Sequence, residues 1–312
     1  MITELDLPVE LITANGKIIK CYNNRSSNID TSTVQSFGEE WKKFNRFNEE
    51  EISNIGDSYF DIVKEEMLGK DKLAIDFGCG SGRWTKYLHD KVSMVAAVDP
   101  SDAIYSAARL LEKAENVQLY KTSIDHLPFP DNYFDFGFSL GVLHHIPDTT
   151  KAMSDCIQKI KPGGYFLVYL YYSLDNRGIL FKLLFRISDL LRRIISKFSG
   201  RTKRFVCDML AILLYMPFVL LSRLLKKLGV KKEYRSKIPL HVYEDASFFV
   251  IRNDALDRFG TPLEQRFSKN EIVEMMQNAG LDQIVISQKM PYWHAVGKKR
   301  TTEQFVDYNI PA

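Results

Sequence analysis

A run of alternating glycines is the part of the chain best suited to hold a ligand. Gly78, Gly80 and Gly82 follow Asp76 in the stretch Asp-Phe-Gly-Cys-Gly-Ser-Gly. Because glycine has no Cβ, its backbone can turn tightly and come close to a ligand. The dinucleotide fingerprint Gly-x-Gly-x-x-Gly would need a further glycine at position 83, where the chain has Arg83. The spacing therefore disfavours an NAD-dependent oxidoreductase.

A second acidic residue, Asp99, ends the next apolar run after the glycines. A carboxylate can accept hydrogen bonds from both hydroxyls of a ribose, and an acid at about this distance from a glycine loop is typical of nucleoside-binding sites. The alternative is that Asp99 only caps the helix expected to begin near Ala103. The glycine loop upstream favours the ribose.

The stretch from Leu73 to about Tyr172 contains the elements that must position these residues. Apolar runs at 73–77, 92–98, 117–120, 134–140 and 165–172 predict strands, and helical patterns are found at 84–89, 103–114 and 149–160. Buried apolar runs separated by helices are typical of a parallel sheet covered on both faces. We therefore predict a doubly wound α/β fold.

Four motifs in this stretch follow one another in a familiar order. They are Asp76 to Gly82, Leu127 to Asp135, Ser139 to Ile146, and Lys161 to Gly164. Their succession over residues 72–172 resembles the class I S-adenosylmethionine-dependent methyltransferases, in their small-molecule, type 11-like branch. The resemblance implies a Rossmann-like, mostly parallel sheet, with S-adenosyl-L-methionine bound at the carboxyl ends of the strands.

The resemblance also implies cofactor-binding roles for particular residues. Asp76 and the loop would lie against the methionine moiety, and Asp99 would hold the ribose. The full set of implied contacts outside the third-strand loop is Asp76, Gly78, Cys79, Gly80, Gly82, Asp99, Pro100, Ser101, Leu140 and Gly141. Pro100 and Ser101 would flank the adenine, and Leu140 and Gly141 would back the methionine.

The loop after the third strand departs from the family pattern. Relatives usually have an aspartate where this chain has Ser123, and that aspartate accepts a hydrogen bond from the adenine amino group. Here the Ser123 hydroxyl, the Ile124 backbone or the Asp125 carboxylate would take its place. The sequence leaves these three alternatives open.

Two adjacent histidines follow the fourth strand of the predicted sheet. Methyl transfer from a sulfonium is an in-line displacement, and a general base is needed only where the acceptor is a hydroxyl or a protonated amine. We expect His145 to be that base, with His144 as the second candidate, because imidazole exchanges protons near neutral pH. The alternative for His145 is a structural role as a cap of the following helix.

Aromatic residues before the sheet form a further candidate site. Phe37, Trp41 and Phe44 share one face of a predicted helix. The pattern Phe-Gly-x-x-Trp resembles methyltransferases that begin with a small zinc ribbon, but the preceding region has only Cys21, so we expect no metal. Phe37 and Trp41 would cover the cofactor or the acceptor, or else pack as an ordinary amphipathic helix.

Four more residues are expected to line the acceptor pocket. Tyr171 and Tyr172 end the last parallel strand, and His241 and Tyr243 lie in a polar cluster farther along the chain. The alternative for the latter pair is a turn at the surface.

Composition and periodicity divide the chain into four parts. With 312 residues, 45% of them hydrophobic and 26% charged, it is of ordinary globular composition. We expect a hairpin and linker at 1–35, the cofactor-binding domain at 36–175, a basic helical insertion at 176–240, and a part completing the catalytic domain at 241–312. Strands are predicted at 248–251 and 283–287.

The basic insertion explains the small net charge of +3. Residues 182–237 hold fifteen Lys or Arg and three acids, so that segment carries +12 and the rest of the chain −9. Its apolar run from Met209 to Leu221 is shorter than the roughly twenty residues that cross a membrane. The segment is then a helical lid with a solvated basic face, a peripheral contact with an anionic membrane, or a nucleic-acid contact.

Nucleic acid is the least favoured of these partners. Methyltransferases that act on base amino groups have an Asn/Asp-Pro-Pro-Tyr/Phe tetrad where this chain has Ser139 to Val142, and no Pro-Cys dipeptide is present. The basic residues alternate with aliphatic stripes instead of the aromatic side chains that stack on bases.

These observations together predict a cytoplasmic S-adenosylmethionine-dependent methyltransferase, with peripheral attachment to the membrane as one version of its location. The predicted acceptor is a small apolar molecule or a lipid-linked one. One alternative is a peripheral-membrane enzyme acting on a lipid-linked glycan or a quinone-like lipid. The other is a non-catalytic cofactor-binding or scaffold protein.

Overall fold

The computed structural model describes residues 2–23, 27–43, 49–175 and 178–301, without the side chains of residues 39–43, 180, 181 and 184. The strands are β1 (Glu10–Ala14), β2 (Lys17–Cys21), β3 (Gly69–Phe77), β4 (Val92–Val98), β5 (Val117–Lys121), β6 (Phe134–Leu140), β7 (Ile160–Tyr169), β8 (Leu281–Ile286) and β9 (His294–Lys299). The helices are α1 (Thr31–Lys43), α2 (Glu49–Tyr59), α3 (Arg83–Leu88), α4 (Ile104–Leu110), α5 (Thr149–Gln158), α6 (Ile179–Ile195), α7 (Gly200–Leu210), α8 (Met216–Lys227), α9 (Lys232–Arg235), α10 (Phe248–Gly260) and α11 (Lys269–Asn278).

The strands form one mostly parallel sheet in the order β1-β2-β5-β4-β3-β6-β7-β9-β8. Parallel pairing runs without interruption from β2 to β7. The hairpin β1-β2 extends one edge, and β9 and β8 add antiparallel strands at the other. The predicted doubly wound, Rossmann-like α/β fold is thereby confirmed.

The two faces of the sheet are buried under different helices. Ile75 and Phe166 point to a face covered by α5 and α11, whereas Ala74 and Phe138 point to a face covered by α3 and α4. Alternate residues of one strand therefore enter two separate cores. This double burial explains why the central strands appear in the sequence as continuous apolar runs rather than alternating ones.

The chain divides into two compact units, residues 1–175 with 263–312, and residues 176–262. The second unit extends beyond residue 240, where the insertion was expected to end. The reason lies in α10, which packs against α6 and α7. Residues 241–262 therefore belong with the insertion, and only the chain from Leu263 onward returns to the sheet.

The strand predicted at 248–251 is wrong, because those residues begin α10. Ser247 caps the helix, its hydroxyl accepting a hydrogen bond from the backbone N–H of Val250 at 3.3 Å. A short run of aromatic and β-branched residues resembles a strand in sequence. Here the N-cap and the packing of Ile251 in the unit's interior favour a helix.

The apolar run from Met209 to Leu221 is part of a much longer helix. Residues Gly200–Lys227 are helical throughout, with a π-helical segment at Ala211–Tyr215 between α7 and α8. By length and composition alone this helix could cross a membrane. The expectation that the run is too short to cross is wrong for the helix as a whole, but one such helix is weak evidence for a span.

Close packing in the middle of the sheet can be tested at Gly137 of β6. A Cβ there would lie 2.5 Å from Ile160 Cδ1 and 3.0 Å from the Phe77 ring. We expect Gly137→Ala to lower the free energy of unfolding by about 1–3 kcal/mol through overpacking, measured by urea denaturation. Gly178→Ala is the control, since a Cβ there meets nothing within 4 Å; equal effects of the two substitutions would contradict this prediction.

Candidate functional site

The carboxyl ends of β3 and β6 form the point at which the strand order reverses. From β3 the chain continues outward to β4 and β5 on one side, and β6 and β7 lie on the other. Connections that leave neighbouring strands in opposite directions open a crevice between them, and ligands bind there in open α/β sheets. The glycine loop leaves β3 at this point, and Gly141 follows β6.

The glycine loop is held in a tight turn against β4. The backbone N–H groups of Gly78 and Cys79 both donate to Val98 O at 2.8 Å. Gly78 and Gly82 have φ values of +82° and +83°, which favour glycine. A Cβ on Gly78 would lie 2.4 Å from Val142 Cγ1, across the crevice. The glycines are therefore required both by conformation and by space.

Asp76 lies beneath the loop instead of at its surface. Its carboxylate is 1% exposed and accepts a hydrogen bond from Thr85 Oγ1 of α3 at 2.6 Å. Burial raises the pKa of Asp76 to about 8, and the nearby charge of Asp99 adds to the effect. A carboxyl group held in this way is stabilised as an anion when a cation binds next to it.

Asp99 connects the glycine loop to the next loop of the site. One carboxylate oxygen accepts from the backbone N–H of Gly80 at 2.8 Å. The other accepts from the backbone N–H of Ser101 at 2.8 Å and from its hydroxyl at 2.6 Å. Burial raises the pKa of Asp99 as well. Pro100 lies between Asp99 and Ser101 in the chain, and the ribose and adenine contacts of these three residues stay predictions.

The loop after β5 contains all three candidate contacts for an adenine, and the choice among them stays a prediction. Ser123 and Ile124 are buried, and the Ser123 hydroxyl donates to Asp125 Oδ1 at 2.7 Å. The serine and the aspartate thus form one hydrogen-bonded pair. That pairing makes a carboxylate available next to the position where relatives carry one.

The loop after β6 is open above Gly141. This glycine has a φ of +80°, and a Cβ there would meet only Tyr169 Cδ1, at 4.0 Å. Leu140, which precedes it, is buried at the end of the strand. The backbone of Gly141 is therefore not covered closely by neighbouring side chains.

The thiol of Cys79 has no chemical role that its surroundings support. The residue is buried in the glycine loop, and burial raises the pKa of its thiol well above the ordinary value. A thiol that stays protonated is a poor nucleophile and a poor metal ligand. Cys79 therefore contributes its backbone to the loop.

His145 is fixed in orientation by the chain that returns from the second unit. Its Nδ1–H donates to Leu263 O at 2.6 Å. A neutral ring bonded in this way carries its lone pair on Nε2. The Phe37 ring of α1 meets the imidazole edge to face, with 4.9 Å between ring centroids. His145 is thus held as a base would be, with its tautomer set by a backbone carbonyl.

His144 is buried in an aromatic stack. Its ring lies 3.9 Å from that of Tyr171, nearly parallel to it, and neither ring nitrogen has a hydrogen-bond partner among the described residues. Burial, together with the charges of His145 and Arg266, lowers the pKa of His144 well below its usual value. His144 is therefore neutral and is better suited to packing or to a single hydrogen bond than to proton transfer.

The segment Leu263–Phe267 was not expected in the site, yet it lies across the ends of β6 and β7. The Gln265 backbone N–H donates to His144 O at 3.0 Å, and the Phe267 backbone N–H donates to Tyr171 O at 2.9 Å. Arg266 lies over the Tyr171 ring at 5.0 Å. The segment Leu263–Phe267 directly follows the insertion in the chain. It has no periodic sequence pattern from which its place in the site could be predicted.

Helices α1 and α2 bring further aromatic residues to this edge of the sheet. A Cβ on Gly38 of α1 would lie 3.2 Å from the Asp102 backbone nitrogen, so α1 passes close to the loop after β4. Tyr59 at the end of α2 contacts Trp84 and Tyr169, at 4.8 Å and 5.1 Å between centroids. The sequence predicted the α1 contribution but not that of Tyr59.

Four residues expected to contact the methyl acceptor either lie away from the crevice residues described above or have side chains outside the described residues. The side chain of Trp41 lies outside the described residues. Tyr172 packs against Tyr292, at 5.6 Å between ring centroids, and pairs with Phe267 through a β-bridge. His241 and Tyr243 form a short 3-10 helix in the second unit. Their roles stay predictions.

The described residues contain no group of three or more His, Cys, Asp or Glu side chains arranged to hold a metal ion.

Known proteins resemble the part of the chain that builds this crevice. A family model described as a methyltransferase domain matches residues 75–168. A ubiquinone biosynthesis O-methyltransferase of Saccharophagus degradans is 30% identical over 120 residues, which are 37% of this chain and 49% of that protein. A demethylmenaquinone methyltransferase of Geobacillus is 30% identical over 119 residues, 33% of this chain and 47% of that protein.

These matches span about half the length of each of these two relatives. A solved S-adenosylmethionine-dependent methyltransferase from Aquifex aeolicus aligns with 81% of this chain and 98% of its own, at 15% identity and a TM-score of 0.41.

Asp76→Asn should change how stability depends on pH. The folded-state pKa of about 8 lies above the roughly 3.9 of an unfolded aspartate, so stability falls as pH rises from about 4 to about 8, by up to about 1.4 kcal/mol per unit. Asparagine cannot ionise, yet its oxygen can still accept from Thr85. Urea denaturation at several pH values should therefore show that the free energy of unfolding of the variant increases relative to that of the wild type as pH rises. Asp71→Asn, exposed on the same strand, should leave the profile unchanged; parallel profiles for Asp76→Asn would contradict the assignment.

Proposed function

Residues 75–168 form a methyltransferase domain of the class I, S-adenosylmethionine-dependent family, in its type 11-like branch, and on that premise we propose what the whole chain does. It transfers a methyl group to an oxygen of a small, apolar acceptor, either free or lipid-linked, in the cytoplasm. The observation that carries this proposal is the aromatic edge of the crevice, where His145, Phe37 and Tyr171 meet.

The crevice fits the family's cofactor. The glycines of the loop let a ligand come close to its backbone, and a Cβ on Gly141 would meet only Tyr169 within 4 Å. Asp99 lies at the end of β4 with its carboxylate held by Gly80 and Ser101. The buried carboxyl groups of Asp76 and Asp99 have raised pKa values, and a ligand with an ammonium and a sulfonium group would stabilise their charged forms.

Aromatic side chains support an apolar acceptor with a flat ring. Tyr169 and Tyr171 lie 5.9 Å apart between ring centroids, and His144 stacks on Tyr171. Such surfaces bind rings through offset and edge contacts. Two similar proteins are named as a ubiquinone biosynthesis O-methyltransferase and a demethylmenaquinone methyltransferase, which supports an acceptor of this kind.

The reaction needs little acid-base chemistry from the protein. S-adenosylmethionine, when bound, supplies a methyl group already activated by its positive sulfur. The chain must align the acceptor oxygen with that methyl group and keep water out. In our proposal His145 accepts the proton of the acceptor hydroxyl on Nε2, while Leu263 O holds the other nitrogen.

The cofactor assignment can be tested without knowing the acceptor. We expect S-adenosylhomocysteine to bind the wild type in calorimetry, and Asp99→Ala to weaken binding at least tenfold, because a carboxylate bonded to two hydroxyls contributes about 1.5–3 kcal/mol per charged hydrogen bond. Asp102→Ala, in the same loop but with its carboxylate paired to Lys121, should bind normally. Absence of binding, or equal binding after Asp99→Ala, would point instead to a protein that keeps the fold without the cofactor.

The base can be tested with a panel of catechols and hydroquinones of increasing chain length and radiolabelled S-adenosylmethionine. We expect His145→Gln to lower kcat about 10²-fold or more while the affinity for S-adenosylhomocysteine stays within about twofold. His126→Gln, at an exposed histidine, is the matched control. A His145→Gln enzyme with full kcat would leave the histidine a structural role only.

A further inference from the structure

The second unit, residues 176–262, carries most of the exposed apolar surface of the described chain. Of the 26 large apolar side chains that are exposed among the described residues, 18 belong to this unit. Scattered apolar side chains are ordinary on a protein surface, but contiguous ones mark a surface that meets another partner. The unit therefore presents an apolar surface of the kind that usually contacts a partner.

The long helix Gly200–Lys227 shows this most clearly. Its buried positions are Cys207, Ala211, Tyr215, Val219 and Ser222, one per helical turn on a single side. Seven large aliphatic or aromatic side chains on the other sides are exposed: Phe205, Ile212, Leu213, Leu214, Leu220, Leu221 and Leu224. Leu213 is 72% exposed. The side of the helix that packs on the protein is thus its smaller and more polar side.

Polar groups are correspondingly found inside the unit. Glu244, 7% exposed, accepts from Ser222 Oγ at 2.7 Å and pairs with Arg235. Tyr215 donates to Asp254 at 3.1 Å, and Arg252 Nε donates to Asp208 at 2.7 Å. Ion pairs and hydrogen bonds therefore hold the long helix to its neighbours.

Helix α6 repeats the arrangement. Arg192 is 4% exposed and donates to Thr261 O and Pro262 O at 2.9 Å and 2.8 Å. The exposed residues of the same helix include a stripe of leucines and isoleucines: Leu183, Ile187, Leu190, Leu191 and Ile194. A helix in water normally buries such a stripe and leaves arginine outside. Two helices of one unit thus have the polarity expected for an apolar solvent.

Exposed basic residues accompany the apolar surface. Arg186 and Arg193 lie on α6, and Lys227, Lys231 and Lys232 lie at the end of α8 and the start of α9. Residues 182–237 as a whole carry a net charge of +12. An apolar surface bordered by lysine and arginine suits the interface of a membrane with anionic lipids. We propose that the exposed faces of α6, α7 and α8 dock the protein onto an anionic lipid membrane.

The long helix lies in the plane of the interface in this proposal. Its hydrogen bonds to other elements are distributed along its length, from Asp208 to Ser222. A helix crossing the bilayer would carry the partners Arg252, Asp254 and Glu244 into the hydrocarbon with it, which is costly for charged groups. A helix lying flat keeps these partners on its protein side and immerses only the exposed leucines.

Charge also distinguishes a membrane from a second copy of the chain. A symmetric dimer through this face would bring two segments of +12 together, and like charges oppose such contact. An anionic membrane attracts the same charges. Lipid is therefore the occupant that matches both the apolar and the basic residues.

Vesicle flotation tests the proposal with the full chain. We expect the protein to float with vesicles of phosphatidylcholine containing about 30% phosphatidylglycerol, and to bind much less to phosphatidylcholine alone or at high salt. No flotation with anionic vesicles at any salt concentration would overturn the proposal. Release by an alkaline carbonate wash supports interfacial binding, and retention would show a spanning helix instead.

Two sets of variants locate the surface. Replacing Leu213, Leu220 and Leu224 by Gln should weaken vesicle binding by about tenfold per side chain, and replacing Lys227, Lys231 and Lys232 by Gln by about fivefold per charge. The matched control replaces three exposed leucines of the first unit, Leu5, Leu7 and Leu11, by Gln and should float like the wild type. Equal binding by all variants would overturn the proposal.

Two further measurements keep the result independent of catalysis. Light scattering identifies a dimer: a wild type that dimerises but does not float, and whose leucine variant is monomeric, would assign the surface to a second copy. Urea denaturation should give the wild-type transition for every variant, which shows that the fold is intact. Since docking needs no methyl transfer, failure of the proposed function leaves this test unaffected.

Discussion

The site depends on one constraint, the attachment of the glycine loop to the neighbouring strand. Gly78 and Cys79 donate to Val98 O, and Gly80 donates to the Asp99 carboxylate at 2.8 Å. These bonds require the chain to turn sharply on leaving β3, which only residues without a Cβ can do at positive φ. Because Asp99 is bonded to the loop, the contact that we propose for a ribose and the cradle that we propose for the rest of the ligand are positioned together. The rest of the crevice is arranged around this pair.

The same attachment places two carboxyl groups in a buried region before any ligand binds. Desolvation raises the pKa of both Asp76 and Asp99, and the charge of Asp99 adds to the shift of Asp76. A cationic ligand relieves this cost, since it stabilises the charged form that burial opposes. Part of the affinity therefore comes from removing an unfavourable state of the free protein. Groups with strongly raised pKa values in a cleft are typical of functional sites for this reason.

The sequence was sufficient for the elements that carry a regular pattern and insufficient for the rest. The central strands and the glycine loop were predictable, because doubly buried strands and a fixed glycine spacing leave clear signals. Leu263–Phe267 left none: its hydrogen bonds to His144 and Tyr171 are made through the backbone, which any residue provides. The prediction of a strand at Phe248–Ile251 was wrong, because Ser247 caps a helix that begins there. Tyr59 could be placed only by the fold.

The second unit shows why a hydrophobic pattern predicts a helix but not which of its faces is buried. The periodicity of α6 and of Gly200–Lys227 is equally consistent with apolar residues facing inward or outward, because the period fixes only that they share a side. The direction is decided by the polar residues that find partners, here Arg192, Ser222 and Tyr215. A docked enzyme would meet a lipid-linked acceptor in the plane of the membrane, where confinement raises the acceptor's effective concentration without any added contact. The outward leucines would in that case contribute to kcat/KM for a membrane-bound acceptor and leave the turnover of a water-soluble analogue unchanged.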